Sequence, residues 1–583
     1  MKNNYYILGI SCFYHDSAAV IIKGSEIISA IQEERITRKK FDNNFPINAI
    51  NECLKIAKIT IDEIDEISFY EDPEIKKTRI IDTMLNNKPL AVINNFKKIY
   101  NWNNNKLDLI PYIKHFFPNF NKEVTYFPHH LSHASSAFFP SPFEEAVILT
   151  IDSVGEWSTT MISIGKKNKI NILKEQNFPH SVGMLYSSFT QAIGFKVDSG
   201  EYKLMGLAPY GTPKYINIIK DNIVKISKDG SIRLNLKYFD FLSGNRMINK
   251  KFLSLFNLTK IRSDKEQLTK LHMDIASSIQ KVIEEIILKL SNYAYKISKC
   301  ENLCLAGGVA LNCVANSKIL QSKIFKNIWI QPAAGDAGGA LGACYLTHYI
   351  KNNNERIVNP QKDNQKNSYL GNSFSEDEIN QILEKFSIKS LKLNKSNRAS
   401  TIADLLEKNN ILALFQGRME FGPRALGNRS ILGNPMNKEM QKIMNLKIKF
   451  RESFRPFAPI IKEDKVQEWF SDINVSQYML FIATLNKKKK NNIVKDKLTG
   501  FEKLKVVNNI IPSVIHVDDT ARIQTVTKSS NVSLYEILDK FEEKTNCPIL
   551  INTSFNIRGE PIVFSIYDAL KCFFNTNIDY LVI

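Results

Sequence analysis

Apolar and polar residues follow one order twice along this chain. The run Tyr6–Ser11, YILGIS, is β-type throughout. It is followed by the polar loop CFYHDS, the apolar AAVIIKG, a turn, and EIISAIQEE. From Val147 to Asp152 the order starts again with VILTID. The polar loop SVGEWS comes next, then TTMISIG, a Lys/Asn turn and INILKEQ. Strand, polar loop, strand, turn, strand, given twice, predicts a duplicated mixed sheet. A helix is predicted over 265–299, where Ile275, Ile279, Val282, Ile286 and Leu290 recur at helical spacing. Beyond it come the strand NLCLAGG, a helix starting near Val309, the strand NIWIQP, the loop AAGDAGG and the helix ALGACYLTHYI.

Two stretches interrupt this pattern. Residues 351–375 are rich in Asn and Lys, carry few apolar side chains, and read as a linker. Domains are expected at 1–352 and 371–583, with 353–370 between them. A Lys-rich stretch at 486–500 reads as an insertion in the C-terminal part. The fold class is α/β and α+β. A duplicated sheet with Gly-rich strand-to-helix turns matches the plan of the actin, sugar-kinase and Hsp70 superfamily, which binds ATP between its two halves.

Composition adds limits. At 583 residues the chain exceeds one ordinary core, and 44% hydrophobic with 23% charged residues is normal for a globular protein. YYILGISCF is too short to span a bilayer and no small-residue cleavage site follows it, so a cytoplasmic protein without a membrane partner is expected. Eight scattered cysteines without a CxxC pair suit reduced, buried thiols. The net charge of +19 comes from 63 lysines against 15 arginines, spread among Asn and Ile. No basic stripe is interleaved with aromatics, and Lys487–Lys490 reads as a solvated loop, so no nucleic-acid partner is expected.

Candidate chemistry begins with FPHHLSHASSAFFP, which holds three of the nine histidines. If HLSHASSAFF starts a helix, His129 and His133 share a face and can grip one divalent metal; structural or capping histidines are the alternative. Asp152 ends an apolar strand, and Asp336 sits between glycines. Both are better placed for a cation than for a core. Two His and two Asp suit Fe²⁺, Mn²⁺ or Zn²⁺. His15, in the loop after the first strand, reads equally as a general base or as a histidine bonded to its own Asp16. In EERITRKK, Lys39 or Lys40 reaches a phosphate, or the motif is a solvated charge cluster. Gly307 and Gly308 open a strand-to-helix turn that lets a nucleotide approach the backbone.

The C-terminal part concentrates arginine. Arg418, Arg424, Arg429, Arg451 and Arg455 fall in FQGRMEFGPRALGNRSIL and KFRESFRPFAP, within a chain that otherwise uses lysine. That choice points to the planar fork that binds phosphate and carboxylate bidentately. A structural network with Glu420 and Glu452 is the alternative. Arg522, Asn552, Thr553, Ser554 and Asn556 lie at predicted strand ends, as ribose or phosphate contacts or as turn residues.

Together, YHDSAAVI, EERITRKK, HHLSHASSAF, KLMGLAPYG, CLAGGVALNCVAN, AAGDAGGALGA, GRMEFGPRALGNRSIL, FRESFRPFAP, HVDDTARIQTV and NTSFNIRGEPIV resemble the O-carbamoyltransferases of the nodulation protein U and cephamycin/tobramycin carbamoyltransferase type. The resemblance covers nearly the whole chain. It implies an N-terminal actin-like (ASKHA) domain related to tRNA threonylcarbamoyladenosine transferases, and a C-terminal YrdC-like domain. It also implies that the YrdC-like domain makes carbamoyl adenylate from carbamoyl phosphate and ATP, with Mg²⁺. The N-terminal domain then passes the carbamoyl group to a hydroxyl of a small-molecule acceptor. On that basis His129, His133, Asp152 and Asp336 hold a metal, Fe²⁺ first among the candidates, and His15 is the base. Lys40, Gly307, Gly308 and Asn312 hold the nucleotide. The five arginines, with Arg522, Asn552, Ser554 and Asn556, hold carbamoyl phosphate and ATP. The loop ISCFY offers no acid to an amino sugar, so the acceptor stays open, as does a homodimer. A short tail beyond Ile583 is expected from the family. The competing readings are a tRNA-modifying enzyme of the same folds and an ATP-binding regulatory module.

Overall fold

A computed structural model describes residues 5–87, 108–242, 246–490 and 498–583. The chain forms two compact units. One comprises residues 1–33 and 41–365; the other comprises 34–40 and 366–583.

The first unit holds two five-stranded sheets with one strand order. In the first sheet the order is Glu26–Gln32, Ala18–Lys23, Tyr6–Ser11, Glu66–Phe69, Val124–Tyr126. In the second it is Lys169–Asn177, Ser158–Lys166, Glu145–Ile151, Asn302–Ala306, Asn327–Ile330. In each, the leading strand pairs antiparallel with its hairpin and parallel with a later strand. The duplication expected from the hydrophobic pattern is therefore present in three dimensions. Parallel strands need a crossover, and helices supply it. The long crossover helix runs Lys270–Ser298, with Ile275, Ile279, Val282 and Ile286 buried.

Two local expectations change. AAGDAGG is not a loop: a helix begins at Asp336 and runs to Tyr345. Its small residues serve close packing. A Cβ on Gly342 would overlap the carbonyl oxygen of Ser132, in the helix His129–Phe138, and a Cβ on Gly9 would overlap that of Ala340. The helix expected near Val309 starts at Cys313, after a 3₁₀ turn at Gly308–Leu311.

The stretch read as a linker is anchored over much of its length. Arg356 is buried; it donates to the carbonyls of Phe138, Phe139, Ser141 and Phe143, with its guanidinium 4.2 Å from the Phe138 ring centroid. Trp329 donates to Asp363 at 3.0 Å. Polar composition hid this because one guanidinium can satisfy several carbonyls at once. Of the insertion expected at 486–500, residues 491–497 lie outside the described residues; Lys489 and Lys490 pair with Glu468 and Asp519.

The second unit is built on a six-stranded mixed sheet. Its order is Gln524–Val526, Ala458–Lys462, Ile549–Ser554, Arg429–Gly433, Leu412–Phe415, Tyr580–Val582. The segment 34–40 belongs to this unit although it follows the third strand of the first. Arg35 donates to the Gly422 carbonyl at 2.6 Å. Arg38 donates to Ile562 and Pro561 and pairs with Asp568 at 3.5 Å. All eight cysteines are free, and among the described residues no helix is long and apolar enough to cross a membrane.

Gly342→Ala should drive the helices His129–Phe138 and Asp336–Tyr345 apart. A stability loss of about 2 kcal/mol or more is expected, the scale of overpacking at a tight contact. Thermal melting with parallel elemental analysis checks it; unchanged melting and unchanged metal content would remove this contact from the account.

Candidate metal and anion sites

Four side chains meet in the first unit. The helix His129–Phe138 turns His129 and His133 to one face, and sends His130 away to Thr150 Oγ1 at 2.7 Å. Asp152 follows the strand Glu145–Ile151; its Oδ2 accepts the backbone N–H of Gly308 at 3.1 Å. Asp336 is the first residue of its helix, and Tyr70 donates to its Oδ2 at 3.4 Å. One donor atom from each of the four lies within 4.8 Å of the other three. His133 Nε2 is 3.0 Å from His129 Nε2 and 2.9 Å from Asp152 Oδ2. Asp336 Oδ1 is 3.7 Å from both imidazole nitrogens.

These residues fit a divalent cation. Ligands about 2.1 Å from one ion in neighbouring positions lie about 3 Å apart, close to the spacing found here. Two buried carboxylates call for positive charge. Burial pushes both carboxyls up, but the facing imidazoles more than offset it. Asp336 falls to about 2, and Asp152 lies well below its ordinary value. Burial likewise opposes charge on His133, yet the two carboxylates lift it to about 9. A proton on the imidazole and a metal ion answer the same electrostatic demand. Around them, Glu156 accepts the His129 N–H, and Glu71 stands 3.9 Å from His129 Nδ1.

His15 borders the cluster. Its Nδ1 is 3.4 Å from Asp16 Oδ2 and 3.9 Å from Asp336 Oδ2, so it faces both its sequence neighbour and the cluster. Phe13 and Asp16 flank it with left-handed backbone (φ 77 and 53), the kind of strain that functional loops hold. Burial opposes its charge; Asp336, then Asp16, outweigh burial and raise its pKa well above 6.5.

The second unit gathers cations. Lys449 is buried, and its ammonium donates to the Ser554 carbonyl, to Ser554 Oγ at 3.3 Å, and to Asn556 O and Oδ1 at 3.0 and 2.8 Å. Burial first, then Arg451, Arg455 and Lys40, hold its pKa well below 10.5. Four cationic groups in mutual range, one of them buried, suit an anion.

The family model described as Carbamoyltransferase N-terminus matches residues 6–345, and that described as Carbamoyltransferase C-terminus matches 403–583. The chain belongs to the carbamoyltransferase family. An uncharacterized protein of Synechocystis is 47% identical, over 99% of this chain and 95% of its own length. The nodulation protein NolNO of Sinorhizobium fredii is 32% identical, over 98% of this chain and 78% of its own. The nodulation protein NolO of Bradyrhizobium diazoefficiens is 32% identical, over 78% and 77%. The protein is thus an enzyme of carbamoyl transfer.

Other expected residues of this carbamoyltransferase are placed differently. Lys40 belongs to the second unit, near Lys449, and Gly307, Gly308 and Asn312 belong to the first. Gly307 has φ +85 and packs on the Ile151 carbonyl; with Gly308 it forms the turn that holds Asp152. Asn312 caps the helix at Cys313 and pairs its amide with Gln280. Arg429 is held by the protein itself. It is buried, donates to the carbonyls of Gln416, Gly417, Asn428 and Asn372, and stacks 3.8 Å from the Phe415 ring centroid; burial lowers it to about 10. Arg418 donates to Leu370 and Gly371. Asn552 is likewise interior, bound to Ala425 and Gln524. Arg424 and Arg522 are half-buried. Glu420 accepts the backbone N–H groups of Leu426, Asn428 and Arg429, while Arg455 pairs with Glu452 at 4.0 Å. Sequence reading missed Lys449, hidden among 63 lysines, and Asp198, whose carboxylate acts on His15.

A cation bound at Asp336 takes up the negative charge that raises His15. Adding Zn²⁺ should therefore shift the His15 titration to lower pH, read by NMR of its ring; an unmoved titration would separate His15 from the cluster. Lys449→Met should weaken inorganic phosphate binding about tenfold or more by calorimetry, the scale of a charged hydrogen bond. Unchanged affinity would place the anion elsewhere.

Proposed function

We propose that this carbamoyltransferase works in two ATP-dependent halves and acts on the hydroxyl of a small molecule. The first unit is read as an actin-like transfer domain, and the second as a YrdC-like domain that makes carbamoyl adenylate. The observation that carries the reading is the convergence of His129, His133, Asp152 and Asp336 in the family-matched first unit.

In the second unit, Lys449, Arg451 and Arg455 offer positive charge to carbamoyl phosphate and ATP, both polyanions. Ser554 and Asn556 aim the lysine. Water hydrolyses carbamoyl phosphate, supplying the oxygen that the broken anhydride lacks, and carbamate and inorganic phosphate result with release of a proton. Carbamate oxygen then attacks the α-phosphorus of ATP, and pyrophosphate leaves with its bonding electrons.

In the first unit the acceptor oxygen attacks the carbamoyl carbon and AMP leaves. With a cation engaging Asp336, His15 is freed to take the hydroxyl proton on a ring nitrogen, and Asp16 steadies the resulting imidazolium. A divalent metal at the four-residue cluster, Fe²⁺ first by its imidazole and carboxylate donors, would supply Lewis-acid charge for the transfer. Tyr70 orients Asp336, and the Gly307–Gly308 turn orients Asp152.

Carbamoyl-phosphate-dependent release of pyrophosphate from ATP is the central test; its absence would overturn the reading. His133→Ala should lose metal and transfer while still releasing pyrophosphate. His15→Ala should keep metal but slow transfer about a hundredfold, the scale of general-base loss. Undiminished transfer in either variant would remove that residue from its role.

A further inference from the structure

We propose that Arg79 binds an oxyanion, a carboxylate or phosphate, on the acceptor alcohol, in a chamber that it shares with Tyr14 beside His15. The proposal rests on the reading of the first unit as the transfer site and names the class of acceptor.

Arg79 lies on the helix Pro73–Asn87 and is only 9% exposed. Among the described residues its Nε has no hydrogen-bond partner, and its guanidinium stands 5.1 Å from the Phe178 ring centroid. The nearby acids are already engaged. Both Glu71 oxygens accept from Lys76 at 2.6 Å, and Glu156 accepts the N–H groups of Asp72 and His129. A guanidinium does not shed its proton, and a buried charge left unpaired is costly. A stacked face with an open fork suits a bidentate oxyanion.

Ring and helix contacts link Arg79 to the reacting groups. Tyr14 is 42% exposed, and its ring centroid is 4.8 Å from that of His15. Tyr14 and Arg79 lie within electrostatic range of each other. Lys76, three residues before Arg79 and on the same helix face, reaches over the Tyr14 ring at 5.4 Å. The start of that helix is tied to the metal-site helix through Glu156, which holds Asp72 at 2.6 Å and His129 at 3.0 Å. An acceptor whose oxyanion rests on Arg79 would thus lie along Tyr14 toward His15. Hydroxy acids, uronic acids and sugar phosphates have this chemistry.

The test uses the full chain as wild type, Arg79→Gln and Arg79→Lys, with glucuronate, glucose 6-phosphate, glucose and glucosamine as probes in calorimetry. Acceptor-free pyrophosphate release and metal content serve as controls of folding. The expected result is preference for one anionic probe, weakened about tenfold or more in Arg79→Gln and less in Arg79→Lys, with pyrophosphate release unchanged. Glucuronate against glucose 6-phosphate distinguishes carboxylate from phosphate. Equal binding by wild type and Arg79→Gln, preference for glucose or glucosamine, or no anionic binding would overturn the proposal. Absent pyrophosphate release in wild type would instead overturn the two-stage reading beneath it.

Discussion

The first unit depends on one contact between two helices. The backbone of Ser132, in the helix that carries His129 and His133, lies directly against Gly342, in the helix that begins at Asp336. Ser135 adds a hydrogen bond to the Gly342 carbonyl at 2.9 Å. A side chain at Gly342 would overlap the Ser132 carbonyl and push the two helices apart. The run of small residues in HASSA and GGALGA thus lets His129, His133, Asp152 and Asp336 converge.

Electrostatics explains why such a site tolerates burial. Among the described residues the ion-pair partners of Asp152 and Asp336 are histidines, whose imidazoles answer the two carboxylates. The second unit has the opposite problem. Lys449 is surrounded by carbonyl and hydroxyl oxygens, yet Arg451, Arg455 and Lys40 oppose its charge. The first unit thus gathers carboxylates against imidazoles, and the second gathers cations around one buried ammonium.

The segment 34–40 shows how connectivity and folding units can differ. It follows directly from the third strand of the first unit, so sequence position assigns Lys40 there. Arg35 and Arg38 instead spend their nitrogens on carbonyls of the second unit. Guanidinium groups that bind backbone carbonyls carry no sign in a sequence, because every residue supplies the acceptor. The same blindness covers Arg429 and Arg356.

What the sequence determined by itself was local and periodic. Alternation of apolar and polar runs gave the duplicated sheet, because side-chain direction repeats with fixed period along a strand. Spacing of four put His129 and His133 on one face for the same reason. The resemblance to carbamoyltransferases was legible because its motifs are dense and ordered. Tertiary structure alone decided which arginines are fasteners of backbone carbonyls. It alone showed that Asp336 begins a helix, that Lys449 stands near Arg451, Arg455 and Lys40, and that the Arg79 Nε has no hydrogen-bond partner among the described residues. Those outcomes depend on which groups from remote parts of the chain arrive first at each polar atom. Pairing across such distances leaves no periodic trace in the order of residues.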